Sequence, residues 1–596
     1  MDKVNLTAKH RAVWWPLAVA LLCTLLIIAC GSAAPAAPAT DQEAPQPPAA
    51  QQQAPEQPAA QQETPKEAAP TSVPQAAEQP AQPKSAKDSL TFVMPEQPGS
   101  MDPWGTSCTA VIYTAVCDTI VNEPLTWITS DTFEVVGLSG AESWKQLDAN
   151  NWQFKLRQGV KFHNGEPWNA ETVKAGIDQN GDPDNASSSY SYHGSIHAEV
   201  VDEYTVQVVC TDECPILPRS MIFGRFQAPG WYASASGEER NFQAYSIGPY
   251  KLVEWRPGID IKMEAYEDYV PNPDSSVVDG QAPHIKNLTN VWRSEALVRA
   301  AMLGTGEADW AADIGFDNKA SVPKWKQSTT NEVFALIPDA MWHPELKKKK
   351  VREALNLAID CQEITNALLE GLPCWGNINP PGTVGVTERN SAPYPYDPAR
   401  ARQLLQEANY DPANKIIIYS RTGNCCRNEE FQEAVIQYWA EVGVNAELQL
   451  LEYNRSREIQ LAGCGQFAKE PGYMGVWDCA QRDPPAPSFS SSHALVTATS
   501  NEMLDGQVQA LRRVGCLSTS TRACFPDIWE KISVAVATPP GDLRTQRMIE
   551  IFDFAYDEYI FIPFIPVQVV YGMAADLDWE PLYAPRLRAN TMRFSQ

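Results

Sequence analysis

The chain has 596 residues and carries 47 Lys and Arg against 73 Asp and Glu, a formal net charge of −26 at pH 7. So acidic a chain excludes nucleic acid and an acidic membrane face as partners. Beyond the N-terminal segment no apolar run reaches the roughly 18 residues a bilayer span needs, while the length allows two or three lobes with substantial cores.

The first thirty residues set the compartment. Lys3, Lys9 and Arg11 precede an apolar run from Trp14 to Ala29 that is short for a span and contains Pro16, the pattern of a signal-peptide core over 1–29. It closes on Ile27-Ile28-Ala29-Cys30-Gly31, which resembles the bacterial lipobox. In such signals the Cys becomes the new N-terminus and carries lipid, so Cys30 is the expected lipidation site. The mature chain is then extracytoplasmic and membrane-anchored, on the periplasmic or cell-surface side. Residues 31–88 are almost entirely Ala, Pro, Gln and Glu, with Val73 the one large aliphatic. They cannot offset their ordering entropy by burial and read, with Cys30, as an extended tether over 30–88. At about 3.1 Å per residue its reach is at most on the order of 170 Å.

From residue 89 short strands alternate with amphipathic helices, an α/β pattern. Trp152, Phe154 and Leu156 alternate with polar residues in strand fashion. Gly159 and Asn164-Gly165 bracket a second expected strand, Val160 to Phe162. Asn169 is placed to cap a helix starting at Ala170. Tyr250–Leu252 and Ile259–Met263 read as strands joined through Arg256-Pro257-Gly258. Val351, Ala354, Leu355, Ala358 and Ile359 give a helix one apolar face, and Lys347 to Lys350 before it read as a solvated face. Asp397 and Pro398 open a helix buried through Ala401, Leu404, Leu405 and Ala408. Ile416–Tyr419 predicts a buried strand, a helix through Phe431, Ala434, Val435, Tyr438 and Trp439 stops at Gly443, and Val444, Ala446, Leu448 and Leu450 alternate as a further strand. Together these make a βαβ unit.

Cys23 and Cys30 aside, twelve of the 14 Cys remain, and they fall as neighbours along the chain. The pairs are Cys108 and Cys117, Cys210 and Cys214, Cys361 and Cys374, Cys425 and Cys426, Cys464 and Cys479, and Cys516 and Cys524. An even count in an exported chain suggests disulfides, without fixing connectivity. Loops this short contribute at most about 3 kcal/mol each, and bridging adjacent Cys425 and Cys426 strains the backbone between them. No Cys-x-x-Cys pair occurs and only 7 His are scattered along the chain, so neither metal nor any other cofactor is expected.

Five stretches in order resemble the family 5 extracellular solute-binding proteins of ABC importers, the dipeptide, oligopeptide and nickel group. They are Trp152 to Glu171 (WQFKLRQGVKFHNGEPWNAE), Gly248 to Trp255 (GPYKLVEW) with Asp268-Tyr269, Arg299 to Asp309 (RAAMLGTGEAD), Val351 to Asp360 (VREALNLAID), and Tyr396 to Leu405 (YDPARARQLL). The resemblance implies a two-lobed periplasmic-binding-protein fold of type II with an inserted subdomain, its hinge-linked lobes closing over a solute in a central cleft. Within the 89–596 solute-binding domain it maps lobe I onto about 89–126, 241–338 and 556–596, the subdomain onto about 127–240, and lobe II onto about 339–555. The five stretches are expected to build strands and turns rather than the pocket. The implied partners are a small solute, peptide or oligosaccharide, and the permease subunits of an importer, with the chain acting as a monomer.

In the family's peptide-binding members a Trp-x-x-Asp segment just before a Pro supplies the carboxylate that pairs with the peptide's amino terminus. Here the matching region is Gly475-Val-Trp-Asp-Cys-Ala-Gln-Arg-Asp-Pro484. Trp477 is in place, Ala480 stands where the Asp would be, and Asp478 or Asp483 is the available substitute. Trp477, Asp478 and Asp483 are therefore the candidate ligand-binding residues. A buried cation without a counter-charge is expensive, so the displaced Asp leaves an oligosaccharide stacked on Trp477 as the alternative. A secreted hydrolase is the competing enzyme class, and a sensory or chaperone-like binding protein is a third. No Gly-x-Ser-x-Gly elbow or His-Glu-x-x-His helix appears, and His193 and His197 sit in a Ser- and Tyr-rich stretch that reads as a loop.

Overall fold

The computed structural model describes residues 87–104, 116, 121–129, 132–182, 190–422, 426–452, 455–456, 459, 494–515, 522–582 and 587–595, all within the unit Ala81–Gln596. The expected signal segment and the tether up to residue 86 lie outside them, whereas Lys87 and Asp88 at its end are described, Lys87 pairing with Asp309 and the Asp88 carbonyl accepting from the Lys286 and Asn287 N–H groups. In chain order the longer elements begin with β1 (Ser89–Met94), β2 (Ala141–Gln146), β3 (Asn151–Leu156), α1 (Ala170–Asn180), β4 (Ile196–Asp202) and β5 (Thr205–Cys210). There follow β6 (Tyr250–Arg256), β7 (Asp260–Ala265), β8 (Asn287–Trp292), α2 (Ala296–Thr305), β9 (Trp310–Ala311) and β10 (Lys324–Pro338). The remainder are α3 (Lys349–Leu357), α4 (Cys361–Leu368), α5 (Pro398–Glu407), β11 (Ile416–Arg421), α6 (Asn428–Glu441), β12 (Ala446–Leu451), β13 (Ala494–Ser500), α7 (Pro526–Ala537), α8 (Asp542–Asp557) and β14 (Ile562–Met573).

Ten strands form one sheet in the order β12-β11-β13-β10-β14-β9-β1-β8-β7-β6, and β2-β3-β5-β4 form a separate antiparallel sheet. The long strands β10 and β14 are the joint of the large sheet. The first part of β10, Lys324–Thr329, pairs with Gln568–Met573 of β14, whose end also pairs with β9. The later part of β10, Val333–Pro338, pairs with the start of β14 on one side and with β13 on the other. The register slips between Thr329 and Val333. Two half-sheets thus meet at an antiparallel pair interrupted by a bulge, which bends and twists a strand locally.

The local patterning explains most elements. Trp152, Phe154 and Leu156 point into the small sheet's core while Lys155 faces solvent. Asn169 and Thr172 cap α1 reciprocally, Asn169 Oδ1 accepting from the Thr172 N–H at 3.1 Å and Thr172 Oγ1 accepting from the Asn169 N–H at 3.0 Å. Asp397 accepts from the Arg400 N–H at 2.9 Å to cap α5. The unit β11-α6-β12 is parallel, with Phe431, Val435 and Trp439 buried beneath it and Gly443 turning at φ +92°.

Three expectations are corrected. Val160–Phe162 is not a strand of a sheet: between the left-handed Gly159 and Gly165 the chain makes a tight loop with a single bridge, Lys161 to Pro167, that drives Val160, Phe162 and Trp168 into the core. The strand Ile416–Tyr419 is buried on one face only, and β12 beyond it is a sheet edge whose Leu450 is exposed. The lysine run is more than solvated, since Lys348, Lys349 and Lys350 pair with Glu345, Glu558 and Glu407 at 2.9, 2.8 and 2.8 Å.

The motif residues have structural work. Arg352 is buried and donates to the Leu346 and Lys347 carbonyls and to Glu558, locking α3 to the chain after α8. Tyr266 Oη donates to the Phe162 carbonyl at 3.0 Å and His163 Nε2 lies 2.9 Å from the Gly248 carbonyl, so the first two stretches meet. A buried Glu123 accepts from Arg588 at 3.1 Å and Tyr269 at 3.0 Å, fastening the C-terminal segment beside the small sheet.

Candidate functional site

In sheets with parallel strands, ligands sit outside the carboxyl ends of the strands. Here β1 is parallel to β8 and β9, so Met94, Trp292 and Ala311 end on one side. Arg299 of α2, 2 % exposed, holds the chain beyond those ends. Its Nη1 donates to the Arg293 and Ser294 carbonyls, both at 2.7 Å, and its Nε to Ala312 at 2.9 Å. Burial lowers the Arg299 pKa and raises that of neighbouring Asp313. In the other half-sheet the parallel β11 and β12 end at Arg421 and Leu451.

The two sets of ends face each other. Arg421 Nη2 stands 3.5 Å from Glu96 Oε1, just past the end of β1. Arg427, past the end of β11, pairs with Asp317, and Lys319 Nζ lies 2.7 Å from Glu370. At the joint, Glu332 of β10 registers with Ser500, the last residue of β13, and Glu502 follows two residues later. Both carboxylates are buried, 3 % and 8 % exposed. Burial first, and the Glu502 charge second, push the Glu332 carboxyl up to about 8. The loop carrying Glu502 is pinned from behind: Asn501 donates to Asn379 at 2.7 Å, and Asp505 takes two bonds of 2.8 Å from Arg544 of α8.

Trp477, Asp478 and Asp483 lie outside the described residues, between β12 and β13 in sequence. Cys30, Cys108, Cys117, Cys464, Cys479 and Cys516 also lie outside them. The structure joins Cys210 to Cys214 and Cys361 to Cys374, and Cys524 is likewise disulfide-bonded. His193 ends a short helical turn and is buried, whereas His197 lies on β4, so they share no helix face. Burial and Arg225 hold the His193 imidazole near a pKa of about 3. Among the described residues no group of three His, Cys, Asp or Glu is placed to hold a metal ion.

Sequence reasoning missed Glu96, Arg421, Glu332 and Glu502. The one available signal was Glu332 itself, an acid abutting the apolar run Val333-Phe-Ala-Leu-Ile337. Chemically, the facing ends bring together the carboxylates of Glu96, Asp317, Glu370, Glu332 and Glu502 with the guanidinium groups of Arg421 and Arg427 and the Lys319 ammonium, a set suited to charged and polar solutes.

The architecture is that of a two-lobed periplasmic binding protein. The Helicobacter pylori binding protein DppA in complex with peptide STSA superposes with a TM-score of 0.69 at 16% identity, covering 86% of this chain and 99% of that one. AgaA of A. tumefaciens R10 with agropinic acid gives 0.69 at 18% identity, covering 85% and 99%. The model of the bacterial extracellular solute-binding proteins, family 5, matches residues 138–491. The chain belongs to that family, whose members are binding proteins and not enzymes. A curated relative is the glutathione-binding protein GsiB of Salmonella typhimurium, 29% identical over 340 residues, 54% of this chain. The match spans 62% of that relative's length.

Proposed function

We propose that this protein is the extracytoplasmic solute receptor of an ABC importer, capturing a short peptide between two lobes and handing it to the membrane permease. The observation that carries the reading is the facing of strand ends across which Glu96 meets Arg421, with Glu332 and Glu502 at the joint. A peptide presents an ammonium and a carboxylate, the complement of that charge set. The family relatives named for glutathione, a tripeptide, and the structure with bound STSA point the same way.

In this reading the half-sheet of β1, β8, β7 and β6 belongs to lobe I, the small sheet to the subdomain about 127–240, and β11 to β13 to lobe II, about 339–555. The β10/β14 pair is the hinge. Cys30 carries the lipid, 30–88 form the tether, and the receptor acts as a monomer. Trp477 stacks on the solute, with Asp478 or Asp483 meeting its ammonium. The test is a thermal-stabilisation scan of the purified mature chain against short peptides, glutathione, agropinic acid and oligosaccharides. Stabilisation by peptides, recovered intact, is the expected result. Stabilisation by oligosaccharides alone would reassign the solute, and turnover of any bound compound would refute the receptor reading.

A further inference from the structure

One apolar cluster belongs to neither half-sheet's core. Ile128, Ile216, Ile222 and Phe223, from the elements around the small sheet, bury themselves against Met503 and Val508 from the segment after β13. Polar contacts frame it. Arg219 Nη1 donates to the Met503 carbonyl at 2.8 Å while its Nη2 reaches the Phe133 carbonyl at 3.3 Å. Tyr192 stacks on Phe223 with ring centroids 3.7 Å apart and planes 11° from parallel, and the Arg512 guanidinium lies 4.7 Å over the Tyr192 ring.

Each side of this cluster is anchored separately. Ile128 follows Trp127, whose indole donates to Asp279 at 2.8 Å. On the opposite side Ala510 and Val514 of the same short helical turn as Arg512 sit in the core with α7 and α8. We infer that Ile128, Ile216, Ile222, Phe223, Met503 and Val508, with the Arg219 and Arg512 contacts, form a latch between the subdomain and lobe II that holds the lobes closed before solute arrives. The inference rests on the two-lobed fold and not on the identity of the solute.

Apolar surface shared across two moving bodies favours the arrangement that buries it, and a planar guanidinium stacked on an aromatic ring adds to the attraction. A receptor whose closed form is populated without solute binds more tightly in proportion to that population. The latch therefore raises affinity through residues outside the strand-end site, and it does so for any solute. Met503 adjoins Glu502 in the chain, so opening the latch also loosens the wall of the cleft.

The experiment is small-angle X-ray scattering on the solute-free mature chain, comparing wild type with Met503→Ala, Arg512→Ala and, from the facing side, Tyr192→Leu. Wild type is expected to scatter as the closed form, and each variant to show a larger radius of gyration with circular dichroism unchanged. Arg512 is half-buried in the middle of a short helical turn, so its variant carries the test where Met503→Ala fails to fold. Leu543→Ala on the exposed surface of α8 is the control expected to match wild type. Superimposable curves for wild type and folded variants, or a wild type already as expanded as they are, would overturn the latch while leaving the importer reading untouched.

Discussion

Replacing Glu332 by Gln removes a titration that burial has displaced. The carboxyl is 3 % exposed, faces Glu502, and is pushed up to about 8 from an ordinary 4.5. The folded state therefore holds a proton that the unfolded chain has released over that interval. Stability from this group is fully present below pH 4.5 and is lost as pH rises toward 8, at up to about 1.4 kcal/mol per pH unit for one proton. His163 and His193 oppose this at lower pH. Burial first lowers them to about 4 and about 3, so they add stability as pH rises toward 6.5. Above 6.5 they are neutral in both states. Between pH 6.5 and 8 the Glu332 contribution is thus about 2 kcal/mol at most. Half-buried Asp313 and buried Asp339 are also raised, so the informative quantity is the difference between wild type and variant. The assay is the urea midpoint at each pH. Glu332→Gln is expected to match wild type near pH 5 and to exceed it progressively up to pH 8. A constant offset across that range would refute the displaced titration.

Arg544→Met should cost about 3–5 kcal/mol in urea unfolding, because Asp505 is left buried without its two charge-assisted bonds. A loss under about 1 kcal/mol would show that the pair contributes little to holding the loop. In the proposed ligand segment, Trp477→Ala is expected to weaken solute binding at least tenfold, about 1.4 kcal/mol. With a peptide, Asp478→Asn or Asp483→Asn should abolish binding, whereas with a neutral sugar each should cost only about 1–3 kcal/mol. Calorimetric titration of the three variants decides, and unchanged affinity in all of them removes this segment from the site. Cys30→Ser should leave the chain soluble or unprocessed. Mass spectrometry of the membrane-extracted N-terminus should find an acylated Cys30, and a lipid-free mature start elsewhere would contradict the anchor.

What the sequence made legible was local. Asn169 and Asp397 announce helix starts because a short polar side chain satisfies an orphan N–H three residues on, and both cap as expected. The βαβ unit around α6 shows in the change from period two to period 3.6. The joint was illegible, because β10 and β14 are distant in sequence and their register slip depends on both strands at once. The site suffered for the same reason. Glu96, Arg421, Glu332 and Glu502 come from four separate segments, and nothing in the spacing of any one of them points to the others. Val160–Phe162 failed differently: Gly159 and Gly165, which bracket the expected strand, are only six positions apart, and the chain between them closes into a loop with one bridge, Lys161 to Pro167.

The most direct test titrates the purified mature chain, in a calorimeter, with a short peptide found by the scan and with the same peptide acetylated at its amino terminus. One-to-one binding of the free peptide, recovered uncleaved, with affinity at least tenfold weaker after acetylation, is the expected result. Equal affinity for both peptides, or no peptide binding beside clear oligosaccharide binding, would contradict a cleft whose carboxylates receive the solute's ammonium.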